Sequence, residues 1–209
     1  MEISKKENYS FEKYVYPDRW TSYWHQINEV IKTKPTNLLI VGKGDGVVES
    51  ILKRYIHEVK TLDVDEKLMP DFVVSVEKMP FQDNYFDTIL CAEVLEHLPF
   101  NKIDDSLKEI RRICNRNVII SLPHFGPSIK LLIKIPFFRE IKVSFKIPFF
   151  KKHIFNGEHY WEIGKKDYSS CKVRKAIKKY FKIKKEFIPF NNQYHHFFVL
   201  IKNENTLHS

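Results

Sequence analysis

Apolar and polar residues follow one another along the chain in patterns that predict helices and strands in turn. Apolar residues recur at helical spacing over residues 18–33, and a short apolar run at 38–41 predicts a buried strand. The same patterns predict a helix at 47–58, strands at 59–65, 71–76 and 86–91, a helix at 104–114 and a strand at 116–123. This order is typical of a parallel sheet flanked by helices.

The helices near the N-terminus have predicted inward faces. Asp18 is the expected N-cap of the first helix, and Pro35 is expected to stop it. The inward residues of that helix are expected to be Trp20, Tyr23, Trp24, Ile27, Val30 and Ile31. Those of the second are expected to be Val47, Ile51, Leu52 and Tyr55. The C-terminal part predicts a helix at 169–181 and two strands, 182–190 and 194–203, that form a hairpin.

The segment 123–166 breaks this pattern and is predicted to be an insertion over the substrate. It contains "IPFF" at 135–138 and again at 147–150, within a run of Phe, Ile, Lys and Arg whose one acid is Glu140. One interpretation is a lid for an acidic or lipid-like acceptor, or a membrane-surface element. The other interpretation is a segment that packs in the core or forms a dimer, with its lysines in solvent. Pro136 and Pro148 argue against one continuous amphipathic helix.

Composition limits the class of protein. The 209 residues suffice for one α/β domain, predicted as 1–209 with a helical cap at 1–34. The net charge of +9 favours acidic partners, namely nucleic acid, an anionic membrane surface or an acidic substrate, and the alternative is a solubilising lysine coat. The three cysteines lack CxxC spacing, which indicates a reducing compartment, and no signal or spanning segment is evident. Cytoplasmic localisation is therefore expected.

A glycine-rich stretch, "LLIVGKGDG" at 38–46, follows the first predicted strand. Its spacing is GxGxG, whereas dinucleotide sites need GxGxxG, and there is no GK[ST] of a phosphate-binding loop. Asp63 ends the second strand about twenty residues later, where an acid binds ribose hydroxyls in nucleotide sites. A nucleoside ligand is therefore predicted without a pyrophosphate.

Further stretches appear in a familiar order, namely "TLDVDEKL" at 61–68, "SVEKMPFQDNYFDTILCAEVLEHL" at 75–98 and "EIRRICNRNVIISLPH" at 109–124. Together with the glycine loop, they resemble class I S-adenosylmethionine-dependent methyltransferases, especially the ubiquinone-biosynthesis-like branch, over residues 10–202. The resemblance implies a Rossmann-like, seven-stranded, mostly parallel α/β sheet. Its last strand is antiparallel, helices cover both faces, and the lid follows strand 5. The implied cofactor is S-adenosyl-L-methionine, with S-adenosyl-L-homocysteine as the product.

The resemblance also implies roles for particular residues. The three glycines would pass beneath the methionine part, Asp63 would bind both ribose hydroxyls, and Val64 would pack on the adenine. The residues expected to contact the cofactor are Val41, Gly42, Lys43, Gly44, Gly46, Asp63, Val64, Ser75, Val76, Glu77, Cys91, Ala92 and Glu93. Two positions depart from the family pattern, since Ile40 and Ser75 stand where acids are usual, and Asp45 and Glu77 are candidates to compensate.

The candidate catalytic residues are His124 and His97, with His159 as a further histidine near a motif end. A general base is needed only when the acceptor must lose a proton. The pentapeptide "EVLEH" places Glu93, Glu96 and His97 at i, i+3 and i+4. Small-RNA 2′-O-methyltransferases resemble this pattern and hold a divalent metal with it and a later histidine. Because many relatives carry the pentapeptide without a known metal, no metal is predicted.

The predicted function is methyl transfer to oxygen or nitrogen of a small-molecule or glycan-type acceptor, which the lid implies is acidic or lipid-like. The alternatives are a non-catalytic binding protein with the cofactor fold and a metal-assisted RNA 2′-O-methyltransferase. An NAD oxidoreductase is disfavoured by the GxGxG spacing. Nucleic acid is a less favoured partner, peripheral membrane contact is allowed by the charge, and the oligomeric state is open.

Overall fold

The computed structural model describes residues 9, 14–147, 149, 151–155 and 157–203. Helices α1 to α4 span Pro17–Lys32, Val47–Leu52, Ile103–Ile113 and Ser170–Lys178. Strands β1 to β5 span Asn37–Val41, Glu58–Asp63, Phe72–Val73, Phe86–Ala92 and Cys114–Pro123. Strands β6 to β9 span Ser128–Ile133, Ile141–Lys146, Phe181–Phe187 and His195–Lys202.

Seven strands form one sheet in the order β3-β2-β1-β4-β5-β9-β8. Strands β1 to β5 pair in parallel, whereas β9 runs antiparallel to both β5 and β8. The predicted fold class, with an antiparallel last strand, is thereby confirmed. From β1 the chain adds β2 and β3 on one side, and it then returns to add β4 and the later strands on the other side of β1. A crevice for a ligand is expected at such a reversal, outside the carboxyl ends of β1 and β4.

Two hydrophobic clusters cover the two faces of the sheet, which explains the continuous apolar runs of the central strands. On one face, Leu107 and Ile110 of α3 and Ile177 of α4 pack on alternate strand residues. On the other, Tyr23 and Val30 of α1 and Leu52 of α2 pack on the intervening ones. Ile40, which stands in place of an acid of the family pattern, belongs to this second cluster.

Several details of the predicted helices are wrong because of tertiary packing. Helix α1 begins at Pro17, so Asp18 lies in its first turn and is not the N-cap. Three of its expected inward residues, Trp20, Trp24 and Ile31, are exposed. Helix α2 ends at Leu52, which leaves Tyr55 beyond it and in solvent. The part of the cap at 1–8 and 10–13 lies outside the described residues.

The segment 123–166 has two structural parts. Strands β6 and β7 form a separate two-stranded antiparallel sheet, which agrees with the argument from the prolines against one long helix. Residues Trp161 and Ile163 return to the main body, where both are fully buried in the larger cluster. Part of the predicted lid is therefore core. Pro148 and Phe150 of the second "IPFF" lie outside the described residues.

Candidate active site

The glycine loop leaves the carboxyl end of β1 in backbone conformations that favour glycine. Gly42, Gly44 and Gly46 have φ angles of +83°, +58° and +79°. A Cβ added to Gly42 would lie 2.4 Å from Cγ2 of Val94, so the loop packs directly on the β4 side of the crevice. A Cβ added to Gly44 would lie 3.8 Å from a ring carbon of Tyr9 and 3.9 Å from the hydroxyl oxygen of Tyr14, which are ordinary contact distances. Two N-terminal tyrosines therefore border the loop at Gly44.

Asp63, the last residue of β2, faces the glycine loop. Its Oδ2 accepts a hydrogen bond of 2.8 Å from the backbone N–H of Lys43, and its Oδ1 accepts one of 3.0 Å from that of Asp65. Each carboxylate oxygen can accept a second bond. Val64 beside it is exposed, with 40% of its surface accessible. A carboxylate held by the loop with unused acceptor capacity fits a ligand that offers hydroxyl donors.

The loop after β3 offers fewer side chains for contact with a ligand than its sequence implied. The Ser75 hydroxyl donates to Glu77 Oε2 at 3.3 Å, and Glu77 also pairs with Lys102 at 3.4 Å. The side chain of Val76 is buried in the core. Ser75 and Glu77 therefore remain candidates for polar contacts, whereas Val76 reaches a ligand only through its backbone.

The carboxyl end of β4 completes the crevice. Cys91 is fully buried, so its side chain is part of the core and not of the site as expected. Glu93 follows Ala92 with a φ of +54° and accepts a 2.7 Å hydrogen bond from the hydroxyl of Ser121. Its other oxygen lies 3.5 Å from Nε2 of the buried His195. This turn directs Glu93 toward β5 and β9.

The N-terminal cap contributes polar groups that the motifs did not indicate. Tyr23 of α1 donates a 2.6 Å hydrogen bond to Asp45 of the glycine loop, and the same carboxylate accepts from the backbone N–H of Val47. The guanidinium of Arg19 stacks on the ring of Tyr14 at 4.1 Å. Burial raises the pKa of Tyr14, so its phenol stays protonated. The cap thus packs over the loop that the cofactor was expected to contact.

A second concave region opens where β5 ends. A cavity of about 500 Å³ is lined by His124 and Ser128, by Lys146 of β7, and by Asn192 and Tyr194 before β9. The Nζ of Lys146 donates to the carbonyls of His124 and Gly126 at 2.7 and 2.8 Å. Burial lowers the pKa of Lys146 to about 8, so it is largely cationic at neutral pH. The cavity also contains Lys130 and Asp18, so it combines two cations and one acid with neutral polar groups.

Comparisons with known proteins give one family match and a set of similar folds. The profile of the family described as methyltransferase domain matches residues 39–122. No curated protein matches the sequence significantly. The PH0226 protein from Pyrococcus horikoshii shares 16% identity and a TM-score of 0.63, with 96% of this chain and 100% of that chain covered. The N-methyltransferase NodS from Bradyrhizobium japonicum, solved with S-adenosyl-L-homocysteine, shares 9% identity and a TM-score of 0.65, with coverages of 97% and 95%.

Residues 39–122 match the methyltransferase domain family, and the fold resembles that of known methyltransferases. The expected enzyme class and the S-adenosylmethionine cofactor are thereby confirmed. The residues at the crevice fit that cofactor, because Asp63 retains acceptor capacity and Gly44 has no side chain to obstruct a close approach. In the described part of the methyltransferase, no helix is long and apolar enough to cross a membrane.

A chain of hydrogen bonds runs through the methyltransferase to His124. The Nε of Arg174 donates to both oxygens of Glu186 at 2.9 and 2.8 Å, and Glu186 Oε1 lies 2.8 Å from Nε2 of His196. Nδ1 of His196 lies 3.0 Å from Nδ1 of His124, and the two rings stack. This network links α4, β8 and β9 to the cavity.

The network constrains which nitrogen of each imidazole carries a proton. Burial opposes ionisation of Glu186, but the hydrogen bonds from His196 and Arg174 outweigh it and hold its pKa at about 2. A carboxylate only accepts hydrogen bonds, so His196 must donate from Nε2. In the tautomer of His196 that carries its single proton on Nε2, Nδ1 accepts and Nδ1 of His124 is the donor. The proton-free nitrogen of His124 in that arrangement is Nε2.

The charge state of His124 limits its role. Burial, followed by the neighbouring His196 and Lys146, lowers the pKa of His124 to about 3. The imidazole is therefore neutral at physiological pH and is a hydrogen-bond acceptor more than a strong base.

The metal-binding pattern considered from "EVLEH" is only partly assembled. Ligand atoms of Glu96, His97 and His159 lie within 4.8 Å of one another. Glu93 does not join them, because its positive φ breaks the helical turn that the i, i+3, i+4 spacing assumed. Nδ1 of His97 lies 3.0 Å from the carbonyl of Glu158, which leaves its Nε2 for a ligand.

Among the residues that the structure describes, none donates a hydrogen bond to either oxygen of the buried Glu96 carboxyl. Burial, with Glu93 as the next cause, raises its pKa well above the usual range. One carboxylate and two imidazoles fit a three-ligand site for a divalent metal with an open position. Metal-assisted chemistry therefore has candidate ligands in this methyltransferase.

The residues that sequence reasoning missed come from distant parts of the chain. Lys146, Arg174, Glu186 and His196 approach His124 from β7, α4, β8 and β9. No motif spacing relates them. Their only signal in the sequence was "HH" at 195–196, two imidazoles in a strand whose apolar run predicted burial.

Proposed function

We propose that the chain transfers the methyl group of S-adenosyl-L-methionine to oxygen or nitrogen of a small-molecule or glycan-type acceptor. The observation that carries this proposal is the position of Asp63 opposite the glycine loop, with a separate polar cavity at the end of β5. The structural neighbours include N-methyltransferases, among them a glycopeptide N-methyltransferase, MtfA. The unit that acts is one domain, 1–209, with its cap at 1–34 and its insertion at 123–166.

The geometry of the crevice supports the following proposed cofactor contacts. Gly42, Gly44 and Gly46 bring backbone close to the methionine part, with Val41 and Lys43 completing the loop. Asp63 accepts from the ribose hydroxyls, and Val64 packs on the adenine. Ser75 and Glu77, with the backbone of Val76, border the adenine edge. Ala92, Glu93 and the backbone of Cys91 border the methyl-bearing side. The bound cofactor supplies an activated methyl group, so this chain mainly has to align the acceptor.

His124 is the proposed contact for the reacting atom of the acceptor. Its Nε2 lone pair can accept a hydrogen bond from an acceptor O–H or N–H and thereby orient the nucleophile. His97 lies near the end of β4 and is kept as a second candidate, while burial, followed by His159, lowers its pKa. Lys146 adds a positive charge to the same cavity, which favours an acceptor with a carboxylate or phosphate.

The direct test is a thermal shift with a comparison of cofactors. S-adenosyl-L-homocysteine is expected to raise the melting temperature of the chain, because a ligand that binds only the native state stabilises it by RT ln(1 + [L]/Kd). NAD is the control and should leave the melting temperature unchanged. Equal shifts with the two ligands, or none with either, would contradict the proposal. Turnover of labelled S-adenosyl-L-methionine with candidate acceptors then separates an enzyme from a binding protein.

Glu186→Gln is expected to disturb the orientation of His124 without unfolding the chain. A neutral amide can donate to Nε2 of His196, which moves the His196 proton to Nδ1 and turns His124 into an Nε2–H tautomer. Imidazole ¹⁵N shifts should report this change, and methyl transfer should fall about tenfold or more. Affinity for S-adenosyl-L-homocysteine should stay within about threefold.

Glu109→Gln is the matched control, since Glu109 also binds an arginine, Arg112, but lies away from the cavity. This control variant should leave the imidazole ¹⁵N chemical shifts of His124 unchanged. Unchanged shifts and unchanged turnover in Glu186→Gln would refute the positioning role.

A further inference from the structure

The hairpin formed by β6 and β7 is amphipathic across its two faces. Opposite residues of an antiparallel pair lie on the same face. The pairs Ile129–Phe145, Leu131–Val143 and Ile133–Ile141 therefore form one entirely apolar face. The pairs Ser128–Lys146, Lys130–Ser144 and Leu132–Lys142 form the other, which carries the lysines.

The polar face is the one that points toward the protein. Ser128, Lys130 and Lys146 line the cavity, and the amide of Gln193 donates to the Ser144 hydroxyl at 3.1 Å. Lys130 and Lys142 both approach the ring of Phe190, at 5.8 Å. These contacts fix the base of the hairpin and its orientation.

The apolar face is directed outward, whereas an antiparallel sheet usually packs its apolar face on the core. Its six side chains are each 40–55% exposed. In the described part of the chain, β6 and β7 form ladder hydrogen bonds only with each other. A two-stranded sheet is at best marginally stable alone in water. A continuous exposed apolar face of this kind indicates a binding surface.

The turn of the hairpin extends this surface with aromatic and cationic side chains. Phe137 is fully exposed and Phe138 is 75% exposed. Lys134 and Arg139 flank them on the two sides. Residues 128–147 as a whole carry five cationic side chains and one acid, Glu140. Phenylalanines at the tip with cations beside them are the arrangement by which interfacial elements contact lipid headgroups and acyl chains.

We propose that the hairpin at 128–147, through its apolar face and its tip, docks the enzyme on an anionic lipid membrane surface. The phenylalanines enter the boundary between headgroups and acyl chains, and the tip cations Lys134 and Arg139 bind the anionic headgroups while their stems lie along apolar surface. This surface is independent of which acceptor is methylated.

A second copy of the chain is a poorer occupant. Six residues at about 3.3 Å each make the hairpin about 20 Å long, and two strands make it about 10 Å wide. The resulting footprint of about 200 Å² is small beside the roughly 800 Å² that each partner buries in a stable dimer. A dimer through this face would also leave the cationic aromatic tip in water.

The experiment measures sedimentation of the full chain with lipid vesicles. Vesicles of phosphatidylcholine with about a third phosphatidylglycerol should bind the chain at least tenfold more strongly than phosphatidylcholine alone. The double variant Phe137→Ser/Phe138→Ser should lose about tenfold or more of this binding. Lys134→Gln should lose about fivefold.

The matched control is Tyr55→Ser, because Tyr55 is 72% exposed but lies on the main body. It should bind within twofold of the parent, and all variants should keep the parent circular dichroism, since the tip side chains are in solvent. Equal binding to both vesicle types would overturn the proposal. So would unchanged binding of the tip variant, or a dimer in light scattering that Leu131→Ser/Val143→Ser breaks while no vesicle binding occurs.

Discussion

Replacing Asp63 with Ala is expected to weaken the binding of S-adenosyl-L-homocysteine by about 1.5–3 kcal/mol, or roughly ten- to 150-fold. The carboxylate of Asp63 is the charged group that faces both the glycine loop and the proposed ribose position. Hydrogen bonds to a charged group in a partly dry site are the stronger ones, and their loss leaves the ribose hydroxyls unpaired. Isothermal titration calorimetry measures this loss directly.

The same substitution removes the acceptor of two backbone N–H groups, so a moderate fall in melting temperature is expected as well. Asp87→Ala is the control for this effect. Asp87 also accepts a backbone hydrogen bond, of 2.9 Å, from the nitrogen of Thr36. It lies near the start of β4, at the amino ends of the parallel strands and therefore away from the crevice. It should lower stability without changing cofactor affinity. Unchanged affinity in Asp63→Ala would place the cofactor elsewhere.

The glycine loop provides the second large effect, in which two alanine substitutions separate folding from binding. Gly42→Ala should destabilise the fold by about 2 kcal/mol or more, because its Cβ would lie 2.4 Å from Val94 in an already strained backbone conformation. Gly44→Ala has a positive φ as well, but its Cβ meets only ordinary contacts at 3.8 Å or beyond. Its cost to stability should be about 1 kcal/mol.

Gly44→Ala should lose more cofactor affinity than Gly42→Ala, when both variants are measured under conditions in which both are folded. The methyl group of Gly44→Ala enters the space proposed for the methionine part, so affinity for S-adenosyl-L-homocysteine should fall about tenfold or more. Chemical denaturation gives the stability of each variant, and calorimetry below both transitions gives the affinity. A Gly44→Ala protein that binds as tightly as the parent would show that the cofactor does not approach this glycine.

The sequence alone was sufficient for the sheet and for the position of the crevice. Apolar runs at 38–41, 86–91 and 116–123 report burial on both faces of a strand, which is a local property of consecutive residues. Glycines that need a positive φ, and an acid at the end of β2, are likewise local signals. The branch within the family, the acceptor and the roles of the site residues remain predictions.

Tertiary structure decided which faces of those elements are covered. Helix α1 shows this, since its spacing indicated Trp20 and Trp24 as inward, yet α1 rests on the sheet through Tyr23 and Val30. The spacing of apolar residues in a helix predicts which residues share a face, but not which part of that face packs on the sheet. Cys91, expected at the site, is core for the same reason, because strand neighbours on both sides enclose it.

The cavity and the hairpin depended most on the tertiary structure. The Arg174–Glu186–His196–His124 network joins α4, β8 and β9 to His124 just after β5, and its partners are separated by up to 72 positions in the sequence. Such contacts arise from the order of strands in the sheet, which places β9 beside β5, and no local pattern encodes that order. The alternation along β6 and β7 is visible in the sequence, but only the fold turns the lysines toward the cavity and leaves the apolar face outward, because the anchoring contacts of Phe190 and Gln193 come from the β8–β9 connection.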